Sequence, residues 1–163
     1  MCTFVLRTDP NQYSDVTSIL IFPTSRIFGN CIFHYFSIMP ISIKFLEVYN
    51  IIELTYTGKV TNEELEHSVH EAAKLSFEKD SRLVLADCTH MTEGHTVFDL
   101  YFIVPLFKKY ELRPDIIEAI IYPLAPAMFQ LASFFETLLI NNGIKGKAFK
   151  ERKDAISWLL ENQ

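Results

Sequence analysis

At 163 residues, the chain is long enough for one domain with a sizeable core and too short for two domains of typical size. Hydrophobic residues make up 49% of the sequence and charged residues 21%, a globular composition that excludes extended disorder. The formal net charge of −5 offers no basic field for nucleic acid, and three cysteines without a CxxC spacing are typical of a reducing, cytoplasmic compartment.

The first 38 residues show no clear hydrophobic period, whereas a strand-like pattern begins directly after Met39. We therefore predict a leader over residues 1–38 and one domain over residues 39–163. Translation that begins at Met39 is one explanation of such a leader. A segment that contacts a membrane or a protein partner is the alternative explanation.

Two strands joined by a tight turn open the predicted domain. Alternating apolar residues predict strands over 41–49 and 51–60, with the turn at 49–50 and with Ile52, Leu54 and Tyr56 on one face. The sequence TNEE at 61–64 then matches a capping box, in which the threonine hydroxyl and the second glutamate satisfy the first amides of a helix. This first helix is expected to end near Phe77.

Strand-like and helix-like segments alternate along the remainder of the chain. The further predicted strands are 82–87, 118–122 and 144–149, and the further predicted helices are 96–110, 126–142 and 151–160. A hairpin followed by such alternation predicts one α/β domain, with a mixed sheet of about five strands and about four helices.

The C-terminal segments carry the strongest likeness to a known family. Two strands separated by a helix that ends at Gly143, followed by the closing run DAISWL at 154–159, resemble the STAS domains of the SpoIIAA-like group. The strand that ends in Asp87 is also similar to a STAS strand that ends in Asp. Over about residues 41–160, this resemblance implies a STAS-like fold and a relation to lipid-binding CRAL-TRIO domains.

The resemblance also implies a candidate regulatory site. STAS regulators carry an Asp-Ser pair at the start of the next helix, and their serine is phosphorylated. This chain has His95 and Thr96 at the matching positions, so Thr96 is a candidate phosphorylation site, with helix capping as its alternative role. A regulatory, anti-sigma-antagonist-like module that binds a protein partner is therefore one alternative function.

The second and third predicted helices are more apolar than one core-facing stripe requires. A helix on a sheet needs an apolar arc of about 100°, yet the second helix is apolar almost all round, and its Pro105 favours a kink that opens space beneath it. We predict that these helices bind an apolar small molecule, a lipid or a membrane surface; a thick core or a homodimer interface is the alternative. The predicted ligand-binding residues are Phe98, Tyr101, Phe102, Pro105, Tyr122, Met128, Phe129 and Phe134.

Polar residues follow the strand 82–87, at the sheet edge where α/β proteins bind ligands. We interpret them as the polar rim of the ligand site, although Cys88 and His90 also raise the alternative of a Cys/His hydrolase. His67 and His70 on the first helix lie among glutamates, as is typical of a solvated face. No strong metal or catalytic spacing is present, so we predict a non-enzymatic domain without metal or cofactor. The predicted rim residues are Asp87, Cys88, His90, His95 and Thr96.

A basic cluster near the end of the chain contrasts with the acidic net charge. It comprises Lys145, Lys147, Lys150, Arg152 and Lys153, and Lys108 and Lys109 close the second helix. Basic residues beside apolar helices favour contact with an anionic lipid head group or membrane surface. Solvated lysines that protect an edge strand are the alternative interpretation.

Overall fold

The computed structural model describes residues 40–93, 97–122 and 126–163, and the predicted leader over residues 1–38 lies outside them. Nine elements follow one another along the described part of the chain. They are β1 (Ile41–Leu46), β2 (Ile51–Lys59), α1 (Asn62–Glu78), β3 (Leu83–Glu93), α2 (Val97–Lys109), β4 (Ile117–Ile121), α3 (Pro126–Asn141), β5 (Lys145–Phe149) and α4 (Arg152–Glu161).

The five strands form one sheet in which the order in space is the order in the chain, β1-β2-β3-β4-β5. β1 pairs antiparallel with β2, and every later pairing is parallel. This mixed sheet with its initial hairpin and four described helices confirms the predicted α/β architecture. The strand predicted over 82–87 is longer than expected, because it continues beside β2 until Lys59 pairs with Glu93.

The hairpin turn is wider than predicted. β1 ends at Leu46, and four residues at 47–50 connect it to β2. Asn50 adopts a φ of 54°, a left-handed conformation that asparagine tolerates better than most residues. Its carbonyl oxygen accepts a hydrogen bond of 2.6 Å from the Ser81 hydroxyl, which fixes the turn against the start of β3.

The predicted capping box is confirmed at the start of α1. The Thr61 hydroxyl accepts a 3.2 Å hydrogen bond from the amide of Glu64, and the Glu64 carboxylate accepts a 2.7 Å bond from the amide of Thr61. The helix ends at Glu78, one residue beyond the predicted Phe77. Two otherwise unpaired backbone donors are thereby satisfied by local residues, which explains why the boundary was readable from the sequence.

The two faces of the sheet carry different helices. Ile52, Leu54 and Tyr56 of β2 pack with residues of α1, α2 and α3, as the alternation in β2 predicted. The opposite face packs on α4, whose Ala155 and Leu159 are fully buried. Three helices therefore cover one face and a single helix covers the other.

α3 packs closely against β5, the strand that follows it in the chain. Gly143 has a φ of 79° and terminates α3, as predicted. A Cβ atom at Gly146 would lie 2.4 Å from Cδ1 of Leu139, so this position of β5 accepts no side chain without rearrangement. The Glu136 carboxylate of α3 also accepts a 2.8 Å hydrogen bond from the amide of Ala148 in the edge strand.

Candidate ligand-binding cavity

A cavity of about 110 Å³ lies between the sheet and the three helices of the more heavily covered face. Alternate residues of β2, β3 and β4 form its floor, because side chains two apart along a strand point to the same side. The floor includes Leu54, Tyr56, Ala86, Cys88, Glu118 and Ile120. The helices contribute Val69 and Ala72 of α1, Leu100, Ile103 and Phe107 of α2, and Met128, Leu131 and Phe135 of α3.

Short side chains explain why this space is unfilled. Ala72 of α1, Ala86 of β3 and Ala132 of α3 all line the cavity. α2 packs against α1 and α3, so it lies above the space that these residues leave. Protein interiors are normally packed as densely as organic crystals, and a void of this size is therefore an unusual feature of a core.

Among the described residues, four side chains with a polar group line the cavity. Tyr56 is on β2, Cys88 on β3 and Glu118 on β4, and Tyr122 directly follows β4. The Tyr56 hydroxyl is 3.0 Å from the hydroxyl of Ser68, which in turn donates a 2.7 Å bond to the carbonyl of Leu65. Since the Ser68 proton is used in that bond, Tyr56 is the donor of the pair, and its own oxygen is left as an acceptor.

Glu118 is the most unusual group in the cavity. No hydrogen bond or ion pair joins its carboxyl to another residue in the part of the chain that the structure describes. Burial without a compensating partner disfavours the charged form and raises the pKa of Glu118 to about 7. The cavity therefore contains a carboxyl that exchanges its proton near neutral pH.

Cys88 is a poor candidate for a nucleophile in this setting. Burial raises the pKa of its thiol well above the usual range, and the nearby carboxyls of Glu118 and Asp87 raise it further. The thiolate, which is the reactive form, is therefore disfavoured. His90 is exposed at the surface. The geometry does not favour the Cys/His hydrolase alternative.

The residues predicted as a polar rim do not converge. Asp87 and Cys88 are neighbours in β3 and point to opposite faces of the sheet. The Asp87 carboxylate accepts bonds from the amide and the hydroxyl of Thr89, at 3.0 Å and 2.6 Å, and lies 3.7 Å from Arg152 on the α4 side. Of the five predicted residues, Cys88 lines the cavity, Asp87 and His90 do not, and His95 and Thr96 lie outside the described residues. The phosphorylation of Thr96 stays a prediction.

The aromatic residues predicted to bind a ligand are divided between two surfaces. Tyr122 and Met128 line the cavity. Tyr101, Phe102 and Phe129 are instead exposed over 54%, 68% and 52% of their surfaces. The reason is the helical period: the stripe of α2 that faces the sheet contains Leu100, Ile103 and Phe107, so residues between them point outward.

The remaining three predicted residues are not part of the described cavity lining. Pro105 is exposed, and α2 continues through it. Phe134 is half-buried, with its ring edge-on to Tyr101 at a centroid distance of 5.4 Å. Phe98 belongs to the first turn of α2, but its side chain is not among those described.

Sequence reasoning missed two of the residues that give the cavity its polar character, Tyr56 and Glu118. Tyr56 was assigned to the apolar face of β2 without a role for its hydroxyl. Glu118 had a readable signal, because a lone carboxyl interrupts the otherwise apolar run IIEAII at 116–121. A charged residue in a central strand is rarely buried without a reason.

The basic residues of β5 lie away from the apolar helices. Lys145 and Lys147 pair with Ile117 and Ala119, whose side chains belong to the core on the α4 side. Residues in register on adjacent strands share a face, so these lysines project on the side opposite α3. The predicted combination of this basic cluster with α2 and α3 in one membrane-contacting surface is not supported by this arrangement.

Three further geometric findings bear on function. Within the described ranges, no three His, Cys, Asp or Glu side chains are grouped as a metal site would require. His70 of α1 packs against the ring of Tyr110 at a centroid distance of 4.7 Å. None of the described helices combines the length and apolar character needed to cross a membrane.

Comparisons with known proteins bear on the fold. No protein-family model matches the chain, and no curated protein matches it. Among solved structures, it is similar to an uncharacterized DUF3478-family protein with a SpoIIAA-like fold from Shewanella loihica PV-4. The two sequences are 18% identical, the likeness covers 73% of this chain and 91% of that chain, and the TM-score is 0.48. The fold in that protein's description is the one that the sequence of this chain resembles.

Proposed function

We propose that this SpoIIAA-like domain binds an apolar small molecule in the cavity beneath α2. The observation that carries the proposal is the cavity of about 110 Å³, with an almost entirely apolar lining. It is somewhat smaller than an engineered apolar cavity of about 150 Å³ that binds benzene in another protein. A ligand, or the end of a ligand, of roughly that size fits the available space.

The chemistry of the cavity supports binding rather than catalysis. Burial keeps the Cys88 thiol protonated, the Tyr56 hydroxyl donates to Ser68, and the Glu118 carboxyl has no basic partner among the described residues. Nucleophilic catalysis requires a nucleophile within hydrogen-bond reach of a base. Apolar burial, at about 25 cal/mol per Å² removed from water, is therefore the main interaction that this site offers.

Filling the cavity tests the proposal. Ala132→Leu adds three carbon atoms to the cavity lining, whereas Ser133→Leu adds a similar apolar side chain at an exposed position of the same helix. We expect native mass spectrometry of the freshly purified full chain to show a bound mass of a few hundred daltons at most. The Ser133→Leu variant should retain this mass, and the Ala132→Leu variant should lose it.

Two results would contradict the proposal. The first is a bound mass that Ala132→Leu leaves unchanged, because the ligand would then lie elsewhere. The second is a protein without bound mass whose amide NMR signals in β3 and β4 do not shift when 1-hexanol is added. Circular dichroism of both variants verifies that the substitutions leave the fold intact.

The exposed aromatic residues favour a second candidate function, binding to a protein partner or a second copy of the chain. Tyr101, Phe102 and Phe129 place apolar surface on the outer sides of α2 and α3. If this surface forms a homodimer, Phe102→Asp should convert a dimer to a monomer in light scattering. Phe77→Asp, at an exposed phenylalanine of α1, is the matched control. Retention of a bound mass by Phe102→Asp would separate this role from the cavity.

A further inference from the structure

We infer that the cavity selects an apolar molecule that ends in a basic amine, and that Glu118 binds the ammonium group. This inference rests on the proposed function and specifies its ligand class. It is carried by the juxtaposition of an unpartnered, partly buried carboxyl with a second free acceptor, the Tyr56 oxygen, in a largely apolar cavity.

The position of Glu118 makes it a component of the cavity. It pairs in register with Val84 of β3 on one side and with Gly146 of β5 on the other, in the middle of the parallel sheet. Because Gly146 has no side chain, the adjacent strand offers the carboxyl no partner. A buried polar group without a hydrogen bond is costly and rare in proteins, so a ligand that supplies the missing partner explains its presence.

The groups that face Glu118 determine the sign of the ligand's charge. From β2 the cavity receives the Tyr56 hydroxyl, from β3 the Cys88 thiol and from the residue after β4 the side chain of Tyr122, while the described residues that α1, α2 and α3 contribute to it are apolar. Within the described residues, no lysine, arginine or histidine lines the cavity. The carboxylate of a fatty acid would therefore meet another acid and no cation.

A protonated amine matches the acceptors that the cavity provides. The Glu118 carboxylate and the Tyr56 oxygen both accept, since the Tyr56 proton is donated to Ser68. An ammonium group carries three donors and a positive charge, so it makes charge-assisted bonds of the stronger class. An alcohol of the same length supplies one neutral donor, and a carboxylate supplies none.

A matched series of ligands tests the inference. Hexylamine, 1-hexanol and hexanoate share a six-carbon chain and differ in the polar end. In isothermal titration calorimetry of the full chain at pH 7.5, we expect hexylamine to bind about 10-fold tighter than 1-hexanol, and hexanoate to bind most weakly. In Glu118→Gln, the affinity for hexylamine should fall about 10-fold, and the affinity for 1-hexanol should fall less. Glu161→Gln, at an exposed glutamate of α4, is the control.

A second measurement uses the unmodified protein. At pH 6, the raised pKa keeps most Glu118 side chains protonated, and an ammonium group that binds there displaces the proton. Calorimetry in two buffers with different ionisation enthalpies should therefore detect release of close to one proton with hexylamine. It should detect none with 1-hexanol.

The outcomes separate this inference from the proposed function. In one outcome, 1-hexanol binds, Ala132→Leu abolishes its binding, and hexylamine binds no tighter than 1-hexanol and releases no proton. The proposed cavity function then stands, and the inferred role of Glu118 is wrong. The tightest binding by hexanoate would also overturn the inference. If none of the three compounds binds, both proposals fail.

Discussion

Glu118 couples the cavity to the protonation state of the protein. Its carboxyl has an ordinary pKa of 4.5, and burial in the folded domain raises this pKa to about 7. At pH values between these two pKa values, Glu118 is mostly protonated in the folded state and mostly ionised in the unfolded state. The contribution of Glu118 to the free energy of unfolding therefore decreases as the pH rises through this interval.

We predict that Glu118→Gln removes this pH dependence. The difference in unfolding free energy between the wild type and the variant should change by about 3 kcal/mol from pH 4.5 to pH 7, with the wild type losing stability as the pH rises. Urea unfolding of both proteins at several pH values measures this difference. Subtracting the unfolding free energy of the variant from that of the wild type cancels the contributions of the other titrating groups. A difference that is constant with pH would show that Glu118 is solvated or paired.

Gly146 is a position where the backbone of β5 lies against α3. We predict that Gly146→Ala lowers the free energy of unfolding by about 1–3 kcal/mol, because the new Cβ would lie 2.4 Å from Cδ1 and 2.9 Å from Cβ of Leu139. Denaturant unfolding measures the cost. The double variant Gly146→Ala/Leu139→Ala should lose less unfolding free energy than the two single variants lose together, because the shorter side chain at 139 removes the overlap. Additive costs would locate the strain elsewhere.

At the level of single elements, the start of α1 depends on a local hydrogen-bond exchange. Thr61→Ala removes the side-chain acceptor for the Glu64 amide, and we predict a loss of about 1 kcal/mol in unfolding free energy. Thr137→Ala, at an exposed position inside α3, is the control and should change stability by less than about 0.5 kcal/mol. Equal effects at the two positions would mean that the capping box is not a stabilising feature.

The order and type of the elements were predictable from the sequence because local signals mark most of them. The capping box gave the start of α1, Gly143 gave the end of α3, and alternation gave the buried face of β2. The extent of β3 was not predictable in this way. Its residues after Asp87 are not an apolar run, and they extend the strand because β2 offers them pairing partners.

The site was less predictable than the fold, since it depends on which side of each helix faces the sheet. Excess apolar residues on α2 and α3 indicated a binding region, but Tyr101 and Phe102 point outward, while Leu100 and Ile103 line the cavity. The cavity exists because small residues from different elements lie next to one another in the fold, and no local sequence pattern predicts which distant residues do so. For example, Ala72 and Ala132 both line the cavity although they are 60 positions apart in the sequence.

For the molecule as a whole, α4 is the element that covers the second face of the sheet. The Arg152 guanidinium donates to the carboxylate of Glu53, a β2 residue that is only 7% exposed. We predict that Arg152→Ala lowers the free energy of unfolding by about 1–3 kcal/mol, because it leaves a buried carboxylate without its cation. Thermal or denaturant unfolding measures this loss. Lys153→Ala, at the next, exposed position, should have little effect; similar losses at both would indicate a general charge effect.

The coincidence of strand order and chain order has a consequence for synthesis on the ribosome. Each strand from β2 to β5 can join the edge of a sheet that is already present, so assembly can follow the emerging chain without waiting for a distant partner. Every described residue that lines the cavity precedes β5, so the binding site can be complete before the last strand emerges. The face that α4 covers is protected last. A nascent chain that stalls before Arg152 would leave Ile51, Leu85 and Ile117 without the cover of α4, and exposed apolar surface of this kind promotes aggregation.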